Sequence, residues 1–113
     1  MATNYVQEGE VLTLTAPYTR TSGQGALVGA IFGVALVDVA SGAQASFATE
    51  GVFDLTKVGS QSWATVGLAI YWDDSNKYCT TTSGGNTLIG VNVATVGSGA
   101  GETTGRVRLN GVF

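Results

Sequence analysis

One apolar run, residues 26–37, constrains the fold more than any other part of the sequence. It is rich in Val, Ile and Phe, which favour the buried, pleated environment of a sheet, whereas a helix here would carry Gly29 and Gly33 at about 1 kcal/mol each. The run is also shorter than the roughly 20 apolar residues that a helix needs to cross a bilayer. It therefore predicts a bent strand or two short strands at the centre of a β core, with either Ile31 or Phe32 pointing inward.

The other apolar residues fall into short segments with strand-like patterns, separated by clusters of Gly, Ser, Asn and Asp. We predict strands within 11–15, 44–48, 51–55, 68–72, 77–82, 87–96 and 104–109. Residues 60–66 form the only candidate helix, with Ser60 as its N-cap. The fold class is therefore all-β, a small barrel or sandwich-like domain with at most one short helix near 60–66. The 113 residues predict a single β domain over 11–113, preceded by an N-terminal arm over 1–10.

Composition limits the partners of the chain. Charged residues make up 12% of the sequence, against about 25% in a typical soluble domain, so we expect other subunits to cover part of an apolar surface. The net charge is −3, and Lys and Arg are scattered singly, which argues against nucleic acid as a partner. The first eight residues have neither the basic segment nor the apolar core of a signal peptide, so we expect synthesis in a cytoplasm.

Few residues could carry chemistry. The sequence has no histidine, which excludes Ser-His-Asp and Cys-His catalysis and histidine-ligated metals. Cys79 is the one cysteine and is expected to be a small buried residue. Asp73 and Asp74 begin an Asp-Asp-Ser-Asn sequence typical of a turn, and the glycine-rich 97–101 segment lacks the Lys-Ser/Thr of a phosphate loop. We therefore predict no catalytic residue, no cofactor and no metal site.

Three aromatic residues leave two interpretations open. Alternation along 68–72 puts Tyr71 and Trp72 on opposite faces of a strand, and Trp63 lies in the candidate helix. We expect core or interface positions for them. If Trp63 or Trp72 were exposed, the chain would instead be a β-barrel module that binds a glycan or another host-surface ligand.

Six segments in order resemble one family of small tailed-phage and prophage proteins, described as capsid cement or decoration proteins and similar to the lambda-type head decoration proteins. They are NYVQEGEVLTLTAP at 4–17, VGAIFGVA at 28–35, TEGVFDL at 49–55, VGLAIYWD at 66–73, NTLIG at 86–90 and GRVRLNG at 105–111. The resemblance spans nearly the whole chain. It implies a non-enzymatic virion protein made in the bacterial host cytoplasm, usually trimeric, which binds the major capsid protein on the outside of an icosahedral head and strengthens it.

The N-terminal arm is the predicted capsid contact. It is too polar to anchor itself in the core, yet the adjacent Tyr5 and Val6 could add a short strand to a sheet edge on the shell. The resemblance to lambda-type proteins, in which the arm meets the shell, supports this hypothesis. The alternative is that these two residues pair within their own subunit. The capsid-binding residues of the hypothesis are Ala2, Thr3, Asn4, Tyr5, Val6, Gln7 and Glu8.

Overall fold

The computed structural model describes the backbone of residues 11–110 and the side chains of residues 11–109. Within these residues the chain forms nine strands, and no residue of the described range is helical. In chain order the strands are β1 (Val11–Thr15), β2 (Gly25–Val28), β3 (Ile31–Ala35), β4 (Gln44–Ala48), β5 (Glu50–Thr56), β6 (Ala69–Asp73), β7 (Tyr78–Thr80), β8 (Thr87–Asn92) and β9 (Thr104–Asn110). The predicted all-β class is confirmed.

The strands form two antiparallel sheets. The first has the order β1-β4-β3-β2, and the second has the order β5-β9-β8-β6-β7. The chain passes from one sheet to the other at Thr49, the single residue between β4 and β5. The second sheet curls so that its two edges meet, because Lys57 forms a parallel bridge with Cys79 and the Val58 amide donates to the Cys79 carbonyl at 3.0 Å. The second sheet is thus curled like part of a barrel, and it packs on the first sheet as in a sandwich. Both features fit the predicted barrel or sandwich-like domain.

The apolar run lies at the centre of the core, as predicted, and it forms two strands. It turns at Gly29, whose φ of +61° is a left-handed conformation that glycine adopts easily, so that Val28 pairs with Ile31 in the β2–β3 hairpin. Phe32 and Val34 are buried and pack into the cavity of the second sheet, in a cluster with Trp72. Phe32 is therefore the inward member of the predicted pair, and Ile31 is only half-buried.

The predicted helix at 60–66 is wrong. Ser60, its expected N-cap, has a φ of +59°, which no helix start allows. The backbone of the segment instead pairs with a distant part of the chain: Trp63 and Val96 exchange two hydrogen bonds of 2.9 and 3.0 Å, and the Ser60 amide donates to the Gly99 carbonyl at 3.2 Å. These partners satisfy backbone groups of the segment without a helix, and Trp63 forms an isolated antiparallel bridge with Val96.

Candidate functional site

The residues flagged for chemistry have structural roles. Cys79 is fully buried in the main core, and burial raises the pKa of its thiol to about 12. The Asp73 carboxylate accepts hydrogen bonds from the Ser75 amide at 3.0 Å and the Asn76 amide at 3.1 Å, which closes the β6–β7 turn. The Asn76 side chain, which donates to Asp73 Oδ2 at 2.9 Å, and the amides of Asn76 and Ser75 hold the pKa of Asp73 below its usual value.

The amide of Gly99 in the glycine-rich loop, residues 97–101, is bound by a side chain of the same protein. The Gly99 amide donates to Glu102 Oε2 at 3.0 Å, so a carboxylate of this chain already occupies the position where a bound anion would lie. Among residues 11–110, no group of three or more acidic or cysteine side chains is arranged to hold a metal ion. Within the same range no helix is long and apolar enough to cross a membrane.

Lys57 is a buried cation at the end of β5, only 1% exposed. Its ammonium donates to the carbonyls of Val58 at 2.8 Å and Glu102 at 3.2 Å, and it lies 5.6 Å from the ring centroid of Trp63. Burial lowers the pKa of this lysine. Its contacts connect β5 to the loop before β9, which is a structural role.

The tryptophans do not form a ligand platform. Trp63 is 0% exposed and Trp72 is 2% exposed, while Tyr71 lies half-buried on the opposite face, as alternation predicted. Each indole has an internal acceptor, since Trp63 Nε1 donates to Gln61 Oε1 at 3.0 Å and Trp72 Nε1 donates to an Asp74 oxygen at 3.1 Å. The hypothesis of a glycan or host-ligand module that binds through Trp63 or Trp72 is therefore wrong.

A polar clasp, formed by Tyr18 and Asp74, joins the two sheets. The Tyr18 hydroxyl donates to Asp74 Oδ1 at 2.7 Å and accepts from the Leu27 amide at 3.1 Å. The Tyr18 ring also has the cations of Lys77 and Arg20 at 4.2 and 4.9 Å from its centroid. Burial, reinforced by the bond to Asp74, raises the pKa of Tyr18. The clasp fixes the relative position of the sheets, and sequence reasoning missed it because its two residues are 56 positions apart.

An exposed apolar surface lies on the outer face of the second sheet. There, four residues on neighbouring strands align in one row, because Arg108 is paired with both Val52 and Val91, and Val91 is paired with Ala69. Val52 is 53% exposed and Val91 is 36% exposed. The row is therefore an apolar strip with one guanidinium in its middle.

A β-bulge adds Leu88 to this strip. The register of β6 and β8 shifts between Ile70 and Tyr71, so that Ile70 is opposite Gly90 while Tyr71 is opposite Leu88. Leu88 and Val91 are consequently both exposed although they are three residues apart. Gly90 lies between them, where a β-carbon would overlap the Arg108 carbonyl oxygen.

The result is a shallow groove of about 380 Å³ on the outer face, lined by Ala69, Leu88, Gly90, Val91 and Arg108. The charged residue of the groove, Arg108, differs from the neighbouring Arg106 in its side-chain contacts. Arg106 is bound to the Asp54 carboxylate at 2.9 Å, a contact that lowers the pKa of Asp54, whereas the Arg108 side chain has no hydrogen bond or ion pair with residues 11–109. The groove depends on the bulge between β6 and β8 and could not be foreseen from the sequence.

The predicted capsid-binding residues, Ala2 to Glu8, lie outside the described part of the chain. They precede β1, which pairs only with β4 and so forms an edge of the first sheet within residues 11–110. Val11, the first residue of that strand, is 41% exposed. The arm thus continues from a strand with one unpaired edge.

Comparison with known protein families gives a match over most of the chain. A protein-family model described as phage cement protein matches residues 6–109, which is nearly the whole chain. No curated protein and no solved structure matches significantly.

Proposed function

Because this chain belongs to the phage cement protein family, we propose that it binds the outside of an icosahedral phage head and stabilises the capsid. The family match over residues 6–109 is the observation that carries the proposal. Such a family has a structural role in the capsid and is not a class of enzymes. In the proposed function the chain catalyses no reaction, needs no cofactor, is made in the host cytoplasm and ends in the virion.

The fold is suited to resisting mechanical force. Strands of the two sheets are joined by a common core and by the clasp between Tyr18 and Asp74, so a force on one sheet is transmitted to the other. The Arg106–Asp54 pair adds a cross-strand contact on the exposed side of the second sheet. A rigid body that bridges neighbouring capsid subunits would oppose their separation when internal DNA pressure expands the head.

The proposed contact is the N-terminal arm, residues 2–8, with the major capsid protein as partner. Tyr5 and Val6 would add a strand to a sheet edge of the shell, where main-chain hydrogen bonds supply affinity with little dependence on side chains. The position of the arm before an edge strand supports this geometry, because β1, the strand that follows the arm, pairs only with β4 within residues 11–110.

We further propose that the chain acts as a homotrimer. An arm that becomes ordered on binding loses about 1–2 kcal/mol of conformational entropy per residue, so a single arm binds weakly. Three arms on one body raise the overall affinity through effective concentration. The low charge content and the exposed apolar strip around Val52 and Val91 also favour a chain that shares its surface with neighbours.

The test is co-sedimentation of the purified protein with heads that lack it, comparing the full chain with a variant deleted for residues 2–8. We expect the deletion to abolish binding while leaving the fold and the oligomeric state intact. A matched control is Val66→Ser, which changes an exposed valine in the loop before β6 and should bind heads like the full chain.

Two outcomes contradict the arm hypothesis. If the truncated protein occupies heads fully, the contact lies elsewhere on the surface. If the truncated protein unfolds, Tyr5 and Val6 pair within their own subunit, as the alternative interpretation holds. Failure of the full chain to bind any head would reject the cement function itself.

A further inference from the structure

Residues 36–38, called the knob below, form an exposed apolar segment where the chain leaves β3. Leu36 and Val37 are 41% and 52% exposed, and Asp38 beside them is also exposed. Ser22 holds the knob in place, since its amide donates to Asp38 Oδ1 at 2.8 Å and its hydroxyl donates to the Leu36 carbonyl at 3.2 Å. The backbone that carries the two exposed aliphatic side chains is thus already held by hydrogen bonds. Burying these side chains at an interface would therefore cost little further conformational entropy of the backbone.

The knob complements the groove on the second sheet in apolar character and charge. The groove is concave, has Leu88 and Val91 in its walls and carries Arg108, which is unpaired among residues 11–109. The knob has two exposed aliphatic side chains and ends in the carboxylate of Asp38. An apolar contact flanked by one complementary charge pair is the composition of a specific protein interface.

The two surfaces cannot meet within one molecule. The groove is on the outer face of the second sheet, whereas β3 packs Phe32 and Val34 against the inner face of that sheet. The sheet itself therefore separates the knob, which directly follows β3, from the groove of the same chain. Any contact between them joins two copies through different surfaces, and such head-to-tail contacts close into a ring when the rotation allows.

We propose that the knob of one copy docks in the groove of a second copy of this chain, with Asp38 paired to Arg108, and that three such contacts close the trimer. This inference rests on the homotrimer of the proposed function and identifies the surfaces that form it.

Charge reversal tests the contact by sedimentation velocity over a range of concentrations. Arg108→Glu and Asp38→Arg place like charges together, so each alone should weaken association about tenfold or more. Asp38→Arg also removes the hydrogen bond from the Ser22 amide, so both changes in one chain should restore association in part. A mixture of the two single variants is less informative. In a trimer at least two neighbouring copies carry the same substitution, so at least one contact stays repulsive, whereas the double variant has no repulsive contact.

Matched controls separate this contact from general surface effects. Arg106→Gln should associate like the wild type, because Arg106 is engaged by Asp54 of its own chain, whereas Arg108→Gln should weaken association. Val37→Ser should likewise weaken association, and Val66→Ser, at a valine that is 61% exposed and outside both surfaces, should not.

Disulfide trapping covers the case in which copies associate only on the head. In a variant with Val37→Cys and Val91→Cys, oxidation should link neighbouring copies in solution or on decorated heads, and a variant with Val66→Cys and Val91→Cys should give no links. Absence of links in both settings would overturn the proposal. So would single charge variants that associate normally, or variants that lose head binding with no change in association, since the groove would then belong to the capsid protein.

The same samples separate this inference from the proposed function. Links between residues 37 and 91 in a protein that never sediments with heads would support the docking and reject the cement function. Co-sedimentation with heads in the absence of disulfide links would support the cement function and reject the docking.

Discussion

Truncation of Phe32 to alanine is the strictest test of how this chain is held together. The ring is 4% exposed and meets Trp72 at a centroid distance of 5.0 Å and an interplanar angle of 53°. It also occupies the space beside Gly25, where a β-carbon would lie 2.9 Å from the ring atom Cε1. Phe32 therefore joins the first sheet to the interior of the second.

The expected loss is about 3–5 kcal/mol, which includes the transfer of the ring to water and the cavity that remains. Within that range, the tilted aromatic pair accounts for about 0.5–1.5 kcal/mol. A domain of ordinary stability has only about 5–15 kcal/mol, so Phe32→Ala removes a large fraction and Phe32→Asp should unfold the chain. Ile31→Ala, at the half-buried neighbouring position, should cost about 1–2 kcal/mol.

Urea denaturation followed by tryptophan fluorescence provides the measurement, because Trp63 and Trp72 are both buried and become exposed on unfolding. An unchanged slope with a lowered midpoint would locate the effect in stability. Equal losses for the Phe32 and Ile31 variants, or a loss below about 1 kcal/mol for Phe32→Ala, would refute the assignment of this run as the centre of the core.

Three further predictions follow from single contacts. Gly105→Ala should lower the melting temperature because its β-carbon would overlap the Trp63 ring, whereas Gly101→Ala, with open space around it, should not. The pKa of Tyr18 is raised by burial and by the hydrogen bond that it donates, so its stabilising effect is complete below pH 10.0 and is lost as pH rises through the higher pKa of the folded state. The difference in unfolding free energy between wild type and Tyr18→Phe should therefore decrease above pH 10.0, and a constant difference would contradict this. Cys79, whose thiol is buried and has a pKa of about 12, should react with thiol reagents at neutral pH only after unfolding; rapid labelling of the native protein would show that the core opens.

Strand positions could be predicted because they depend on local patterns. Alternation in 11–15 and 104–109 was sufficient for β1 and β9, whereas the glycines of the apolar run left a bent strand and two strands open, and the structure shows two. The β6–β7 hairpin was likewise foreseen, since Asp73 closes its turn with its own side chain.

The site could not be predicted, because its geometry depends on contacts between distant residues. The bulge that exposes both Leu88 and Val91 arises from the pairing of β8 with β6, and the residues of the clasp are far apart in sequence. The error at 60–66 has the same origin, because the backbone of that segment is satisfied by the 96–99 loop and not by its own neighbours.

The central claim, that this chain binds the head exterior and strengthens the shell, is tested most directly by heating DNA-filled heads that lack it. Heads are heated with and without saturating protein, and DNA release is followed with a fluorescent dye that cannot enter intact heads. We predict that bound protein raises the temperature of release and that the deletion of residues 2–8 removes this effect. An unchanged release temperature at full occupancy of the heads would contradict the stabilising role.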